Sequence, residues 1–366
     1  MDNRIKEEVY DPKSNLTHSL TSQFDSLNRL AAKIGAEGQT SSYRYDDNDN
    51  PVSLTDPLNN KTALSYDALN RLVSSVDPLG KATKSTYDSN DNLLSVTDPL
   101  THKTGYGYDG LGNALTINSP DTGVTTRSVD DAGNKIETVD ARGEKTSYKY
   151  DALNRISTIK SGNNQTISFA YDQGTNGIGH LTQMSDPNGT TRWTYDNHGR
   201  INSKTFVVGT LSLVTRYGYD ADGQLKTMTY PSGNIVQATY QNGLVTALDS
   251  NGKSLISSVT YQPFGAPAEW IFANGIKTTR DFDLDGRMTA YDLGDRSRQL
   301  SYDVAGRITG YQDTDMNHNQ NFTYDVLSRL VNFSTPSSQI DYQYVHILAQ
   351  PEHPFCSNLN TYSETS

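Results

Sequence analysis

Residues 62–81 read TALSYDALNRLVSSVDPLGK, and this stretch decides the fold. Apolar and polar residues alternate on both sides of YDALNR, which is the period of a β-strand with one face more buried than the other. Asp67 and Asn70 favour a tight turn, since Asp bonds nearby backbone amides and Asn tolerates positive φ. Asp77–Gly80 is a second turn signal, because Pro presets φ and Gly accepts the left-handed conformation. The stretch predicts two antiparallel strands and two turns, with no room for a helix.

The same pattern recurs along nearly the whole chain, with a spacing close to 21 residues. Each unit opens with an aromatic residue, or once with Val, and thirteen of the sixteen openings are followed by Asp. The opening positions are Phe24, Tyr45, Tyr66, Tyr87, Tyr108, Val129, Tyr150, Tyr171, Tyr195, Tyr219, Tyr240, Tyr261, Phe282, Tyr302, Tyr324 and Tyr344. A period of this length is typical of proteins in which each unit stacks on its neighbours. The sequence therefore predicts an all-β array of antiparallel β-hairpin repeats, and accumulated strand twist makes the array a coiled strip.

Composition narrows the class of protein. The 366 residues carry a net charge of −11, which disfavours a surface for nucleic acid. No apolar run is long enough for a membrane helix. Cys356 is the one cysteine, so the chain has neither a disulfide framework nor a cysteine-based metal site. We predict no nucleic-acid partner, no membrane span and no cofactor.

Three short motifs would suggest chemistry if taken alone. Gly105–Gly110 has the spacing of a dinucleotide-binding loop, but no helix pattern follows it. Asp121-Thr122-Gly123 is similar to the aspartic protease triplet but has no second triplet to share a proton with. Asp281–Asp292 follows the order of an EF-hand calcium loop without flanking helices. All three are in phase with the repeat, so we interpret them as repeat turns, predict no catalytic, cofactor-binding or metal-binding residues, and leave calcium at Asp281–Asp292 as an open alternative.

The repeat unit resembles a known family. Tyr-Asp-x-x-Asn/Gly-Arg-Leu followed by Asp-Pro-Leu-Gly is similar to the RHS repeat, also called the YD repeat, and the register covers about residues 24–344. The structural repeat signature is represented by Tyr66, Asp67, Asn70, Arg71, Tyr150, Asp151, Asn154, Arg155, Tyr302, Asp303, Gly306 and Arg307. The resemblance implies a β-hairpin strip wound into a hollow shell, as in bacterial RHS proteins, cocoon components of insecticidal toxin complexes and teneurins.

The resemblance also implies a function. In the bacterial members the shell encloses a C-terminal toxic domain, which a self-cleaving segment at the end of the repeats releases. The predicted partners are therefore a toxin cargo or the remaining RHS shell segments, and the predicted role is structural rather than enzymatic. The expected location is secreted or associated with the cell envelope, and cytoplasmic before export, because no signal peptide is visible. An alternative is a cell-surface module that binds carbohydrate or mediates adhesion through exposed tyrosines and acidic turns.

Three segments are expected along the chain. Residues 1–23 are predicted to be a partial N-terminal segment or degenerate repeat, and residues 24–344 the repeat array. Residues 345–366 are predicted to be a non-repeat tail that is disordered or the product of a frameshift, since the register stops after Tyr344. The tail has no self-cleaving motif and no cargo domain. We therefore expect the chain to be a fragment that corresponds to the middle of a shell.

Overall fold

One antiparallel sheet of 32 strands makes up the fold in a computed structural model, which describes residues 3–163, 165–263 and 265–344. Each strand pairs with the strand that follows it in the sequence, so the sheet is a series of hairpins. Among the described residues, the first strand pairs only with the second and the last only with the one before it, so the sheet is open. The predicted all-β array of antiparallel hairpins is confirmed.

The strands are short and follow one another closely. The first sixteen are β1 (Lys6–Tyr10), β2 (Leu16–Phe24), β3 (Leu30–Gly35), β4 (Thr40–Tyr45), β5 (Pro51–Thr55), β6 (Lys61–Tyr66), β7 (Leu72–Val76), β8 (Ala82–Tyr87), β9 (Leu93–Thr97), β10 (Lys103–Tyr108), β11 (Ala114–Ser119), β12 (Gly123–Val129), β13 (Lys135–Val139), β14 (Lys145–Tyr150), β15 (Ile156–Lys160) and β16 (Thr166–Tyr171). The others are β17 (Leu181–Asp186), β18 (Gly189–Tyr195), β19 (Ile201–Val208), β20 (Leu211–Tyr219), β21 (Leu225–Thr229), β22 (Ile235–Gln241), β23 (Leu244–Ser250), β24 (Lys253–Tyr261), β25 (Pro267–Phe272), β26 (Lys277–Phe282), β27 (Met288–Asp292), β28 (Ser297–Tyr302), β29 (Ile308–Asp313), β30 (Gln320–Tyr324), β31 (Leu330–Ser334) and β32 (Gln339–Asp341). A 3-10 turn at Met316–His318 is the one helical element of the described residues, and none of their helical structure could span a membrane.

Each repeat contains two kinds of turn. The turn that follows the opening aromatic, such as Asp67–Arg71, is here called a signature turn, and its ends are joined by a 3.0 Å hydrogen bond from the Asp67 amide to the Arg71 carbonyl. The other turn, such as Asp77–Lys81, is called a return turn, and it closes in the same way at 2.9 Å. The opening aromatic Tyr66 lies at a β-bulge, where the pairing of β6 with β7 shifts by one residue. Bulges increase the local twist of a strand, so a bulge in each repeat favours coiling of the strip.

The sheet has almost no apolar core. Ala32 is the one buried hydrophobic residue in the described part of the chain. Apart from Gly177 and Gly310, the other buried residues are polar and mostly small: Ser53, Ser95, Ser119, Thr182, Thr191, Thr278 and Asp313. Stability must therefore come from the backbone ladder and from side-chain contacts between neighbouring strands, which explains how a chain with 34 % hydrophobic residues holds a regular fold.

The strip winds back on itself. The backbone amide of Ala36 donates to Asp285 Oδ1 at 2.8 Å, across 249 residues of sequence or about twelve repeats. The backbone amide of Ser19 donates to the carbonyl of Leu284 at 3.0 Å. We call the described residues before Asp283 the first winding and residues 283–344 the second winding. The strands already begin within the predicted N-terminal segment, while the predicted tail at 345–366 lies outside the described residues.

Candidate functional site

The first Asp of a signature turn holds that turn closed. In the repeat quoted above, Asp67 Oδ1 accepts hydrogen bonds from the backbone amides of Leu69 (2.9 Å) and Arg71 (3.0 Å), and Asp67 Oδ2 accepts one from Arg71 Nε (2.8 Å). Asn70 has a φ of 60°, in the left-handed region that Asn visits more readily than most residues. These bonds hold the pKa of the Asp67 carboxyl below its usual value, with the Arg71 backbone amide as the largest favourable cause. One carboxylate thus satisfies the turn and fixes the arginine.

Arg71 and Tyr87 connect one repeat to the next. Arg71 Nη1 donates to the carbonyl of Asp88 (2.8 Å) and to Asp91 Oδ1 (2.9 Å) in the following signature turn. Its guanidinium lies over the ring of Tyr87, 4.9 Å from the ring centroid. The Tyr87 hydroxyl in turn donates to the carbonyl of Leu72 at 2.9 Å. Neighbouring repeats are therefore joined by contacts that run in both directions.

The signature turn that begins at Asp151 has the same arrangement with a stronger ion pair. Asp151 Oδ2 accepts from Arg155 Nε at 2.7 Å, and Asn154 has a φ of 60°. Arg155 then binds both carboxylate oxygens of Asp172 in the next repeat, at 3.1 and 2.6 Å. Hydrogen bonding from Arg155 lowers the pKa of Asp172 to about 2. The guanidinium also lies 4.3 Å from the centroid of Tyr171.

The signature turn that begins at Asp303 lies in the second winding and uses Gly in place of Asn. Gly306 has a φ of 78°. Asp303 Oδ2 accepts from Arg307 Nε at 2.7 Å, and Arg307 Nη1 donates to the carbonyl of Asp325 at 3.2 Å. Arg307 lies over the ring of Tyr324, 4.8 Å from its centroid. The geometry of the signature is therefore repeated in both windings.

The opening tyrosines are engaged within the sheet along most of its length. Twelve of them donate a hydrogen bond from the hydroxyl to a backbone carbonyl of the preceding repeat: Tyr45, Tyr87, Tyr108, Tyr150, Tyr171, Tyr195, Tyr219, Tyr240, Tyr261, Tyr302, Tyr324 and Tyr344. Arginines from the preceding signature turn lie over the rings of Tyr45, Tyr87, Tyr171, Tyr219, Tyr302, Tyr324 and Tyr344. Both the hydroxyl and one ring face of these residues are thus used to join repeats.

A second set of contacts forms a seam between the two windings. Asp285 accepts hydrogen bonds from the Ala36 amide at 2.8 Å and from the side-chain amide of Gln39. Arg287 Nη2 lies 3.2 Å from Glu37 Oε2. A signature turn of the second winding therefore lies directly against a return turn of the first, and ionic and hydrogen-bonding groups match across the seam.

Exposure along the signature turns differs between the windings. The third residue of the turn is 64 % exposed at Leu69 and 86 % exposed at Leu111, both in the first winding. In the second winding the same position is half-buried at Asp285, Ala305 and Leu327. Because the turns have the same local geometry, the difference indicates that the neighbouring winding covers this edge.

Two of the short motifs are repeat turns, as interpreted from the sequence. Gly105–Gly110 spans the end of β10 and the start of a signature turn, and the strand β11 follows it in place of a helix. Asp121–Gly123 joins β11 to β12 as a return turn. Neither motif has the structural context that its chemistry requires.

The aspartates of Asp281–Asp292 have separate partners. Asp283 closes its own signature turn, and Asp285 binds across the seam. Asp292 Oδ2 accepts from the backbone amide and hydroxyl of Thr279, at 2.8 and 2.6 Å. Among the residues that the structure describes, no three His, Cys, Asp or Glu side chains are arranged to hold a metal ion. The order of an EF-hand loop is thus explained here by turns and by the seam.

The sequence reasoning missed the seam and its two central residues, Gly35 and Asp285. A signal was available at both positions. Several other return turns begin with Asp, as at Asp56 and Asp77, whereas this one begins with Gly35. Asp285 occupies a turn position where Leu stands in several other repeats. Two departures from the repeat, 250 residues apart, would be recognised as partners only once the winding is known.

The RHS repeat family model matches residues 24–61, 45–83, 87–124, 129–166 and 176–211. The chain belongs to the RHS repeat family. No curated protein sequence matches this chain.

Solved structures with the same fold come from toxin complexes. TcdB2-TccC3 without its hypervariable C-terminal region is similar with a TM-score of 0.76 and 17 % identity, over 90 % of this chain and 21 % of that one. The TcdB2-TccC3-Cdc42 structure has a TM-score of 0.73 and 19 % identity, over 86 % of this chain and 19 % of that one. The Tc holotoxin pore of Photorhabdus luminescens has a TM-score of 0.73 and 19 % identity, with the same coverage of 86 % and 19 %. The RHS repeat chain thus shares the fold of about a fifth of these proteins.

Proposed function

We propose that this chain is a structural segment of an RHS shell that encloses a toxin and helps to deliver it. The observation that carries the proposal is the winding: the strip turns back after about twelve repeats and docks on itself at Asp285, as the wall of a container requires. The similarity of its fold to TcdB2-TccC3 supports the same function. In this role the signature residues act mechanically, since they join each repeat to the next.

The remaining shell segments are the proposed partners, and the exposed edge of the first winding supports this. The third residues of its signature turns include leucines that are between 63 and 86 % exposed: Leu27, Leu69, Leu111 and Leu153. The equivalent Leu327 is half-buried where the neighbouring winding covers it. Singly exposed leucines are ordinary on a protein surface, so the comparison with Leu327 is what supports a missing neighbour at this edge. A further winding, contributed by the rest of a shell, would cover it in the same way.

The proposed cargo and location follow from the shell. Because the wall has no apolar core, both of its faces contact solvent. A folded or partly folded polypeptide can therefore be held beside it without disturbing apolar packing within the wall. We propose that the intact protein is secreted or associated with the cell envelope and is assembled in the cytoplasm before export. The chain itself is proposed to have no catalytic role.

Carbohydrate binding at a cell surface is the alternative function. It would need aromatic faces free to stack on sugars. At seven opening tyrosines an arginine covers one ring face, as Arg71 does at Tyr87 with a separation of 4.9 Å. This reduces the area available to a glycan, so the shell is the better-supported function. A glycan array distinguishes the two, since loss of binding in tyrosine variants is expected only for the carbohydrate function.

Electron microscopy of the purified full chain tests the shell directly. The expected particle is a curved wall that completes more than one winding around a solvent-filled space. A straight ribbon or a solid particle would overturn the proposal. Cross-linking and capture from the native source then tests the partners: the expected partner is a polypeptide with further RHS repeats, bound to the chain or continuous with it. Recovery with surface glycans and without any repeat-containing polypeptide would favour the alternative.

A further inference from the structure

Several return turns of the first winding cap themselves with their own first Asp. Asp56 Oδ1 accepts hydrogen bonds from the backbone amides of Leu58 (2.9 Å) and Asn60 (2.8 Å). The carboxylates of Asp77 and Asp98 make the same pair of bonds in their own turns. Each of these turns thus carries its own acceptor for the amides that point into the turn.

The return turn at Gly35 lacks this carboxylate. Its Glu37 amide donates to Gln39 Oε1 instead, and a carboxylate of the second winding binds a different amide, that of Ala36. Asp285 Oδ1 accepts from the Ala36 amide at 2.8 Å, and the other oxygen accepts from the Gln39 side chain. A Cβ atom at Gly35 would lie 2.7 Å from Asp285 Oδ1 and would also overlap Gln39. The missing side chain is therefore what makes room for Asp285, whose own side chain is only 13 % exposed.

Two further contacts depend on the same docking. Strands β2 and β3 stop pairing at Leu20 and Gly35, and the Ser19 amide just beyond donates to the Leu284 carbonyl at 3.0 Å. The second winding thus supplies a backbone carbonyl for an amide of β2 that lies beyond the end of β3. A charged contact between the windings, from Arg287 to Glu37, lies beside it.

A shift of one repeat in either direction would break this match. The neighbouring turns at Asp11 and Asp56 already have carboxylates bonded to their own amides. Asp285 placed against either of them would face a like charge. The residues that stand there in place of Ala36, Pro12 and Pro57, have no amide hydrogen to donate. Among these three successive turns, the one that opens at Gly35 is the one that accepts a carboxylate from outside.

We propose that Gly35 and Asp285 form a latch that selects the return turn on which the second winding docks, and so sets the number of repeats in one winding. The latch is an interaction surface within the chain: a glycine-opened turn on one side and an acidic signature turn on the other. It does not depend on a cargo, so its failure and the failure of the proposed shell function are distinguishable.

Hydrogen exchange on the full chain tests the latch in three variants. Asp285→Ala removes the carboxylate. Gly35→Asp fills the space and gives the turn its own cap, as at Asp56, so the turn itself stays folded. Asp222→Ala is the matched control, since Asp222 occupies the same signature-turn position as Asp285 on the exposed edge of the first winding. Exchange within β14 and β15, far from the seam in sequence, reports that the sheet remains folded.

The Ser19 amide is the decisive readout, because its partner is the Leu284 carbonyl and no atom of either mutated side chain. Asp285→Ala and Gly35→Asp are both expected to speed exchange at Ser19 by roughly tenfold or more, the ratio expected from the loss of a charge-assisted hydrogen bond that holds the docking. Asp222→Ala is expected to leave Ser19 unchanged. The latch is refuted if the exchange rate of Ser19 stays within about twofold of the unmodified chain in both latch variants while Ala36 alone exchanges faster. In that case Gly35 and Asp285 form only a local contact.

Discussion

Arg71 should contribute far more to stability than an arginine that pairs only within its own turn. The change to make is Arg71→Met, which keeps an unbranched apolar stem and removes the guanidinium. It deletes the bond to Asp67 at 2.8 Å, the two bonds to the next signature turn at Asp88 and Asp91, and the stacking on Tyr87. These contacts hold one repeat and dock the next upon it.

The expected cost follows from these contacts. A hydrogen bond to a charged group contributes about 1.5–3 kcal/mol, and cation–π stacking at a partly exposed site about 0.5–1 kcal/mol. The contact with Asp91 contributes little, because that carboxylate is 70 % exposed. Since neighbouring contacts are not additive, we expect the free energy of opening of the hairpin formed by β8 and β9 to fall by about 2–4 kcal/mol.

Arg142→Met is the matched control. Its guanidinium is 82 % exposed and lies 2.7 Å from Asp140, within a return turn. Exposed pairs of this kind contribute little, so the expected loss is below about 1 kcal/mol. Native-state hydrogen exchange measures both values as local opening free energies in the same chain. Equal losses for the two variants would refute the argument that the signature arginine joins repeats, and would leave the Tyr-Asp-x-x-Asn-Arg pattern as a turn motif alone.

Acid should weaken the sheet. The pKa of Asp172 is about 2 in the folded chain against an ordinary 3.8. The contribution of Asp172 to the free energy of unfolding is therefore complete above pH 3.8 and is lost as the pH falls towards 2. Urea titrations across that window should show a shallower loss in Asp172→Asn, and an unchanged slope would contradict the assignment to Arg155. Gly306→Ala should lower the free energy of unfolding by about 1–2 kcal/mol, because φ is 78° and an alanine Cβ is strained in this left-handed conformation. An unchanged stability in urea denaturation would show that the turn relaxes to accept alanine. Tyr87→Phe should cost about 0.5–1.5 kcal/mol by removing the bond to the Leu72 carbonyl, measured by exchange in β7 and β8.

Local features of the fold could be predicted from the sequence, and contacts between windings could not. The alternation around Tyr66 and the turn residues at Asp67 and Asp77 predicted strands and turns because strand period and turn chemistry are properties of neighbouring residues. The partnership of Gly35 with Asp285 depends on how far each hairpin twists and how many repeats fill one winding. Small differences in twist accumulate over about twelve repeats, so the meeting point is a property of the whole array.

The seam also changes what kind of cooperativity the protein can have. A linear repeat array couples each unit only to its neighbours, so an opened hairpin leaves distant hairpins unaffected. Contacts such as Arg287 to Glu37 join residues that lie 250 positions apart. Opening of the first winding at β3 therefore removes a partner from β26 and β27, and these two regions of the strip should open together. In the Asp285→Ala variant this coupling should disappear while each hairpin keeps its own Arg71-type contacts, so that the array returns to nearest-neighbour behaviour.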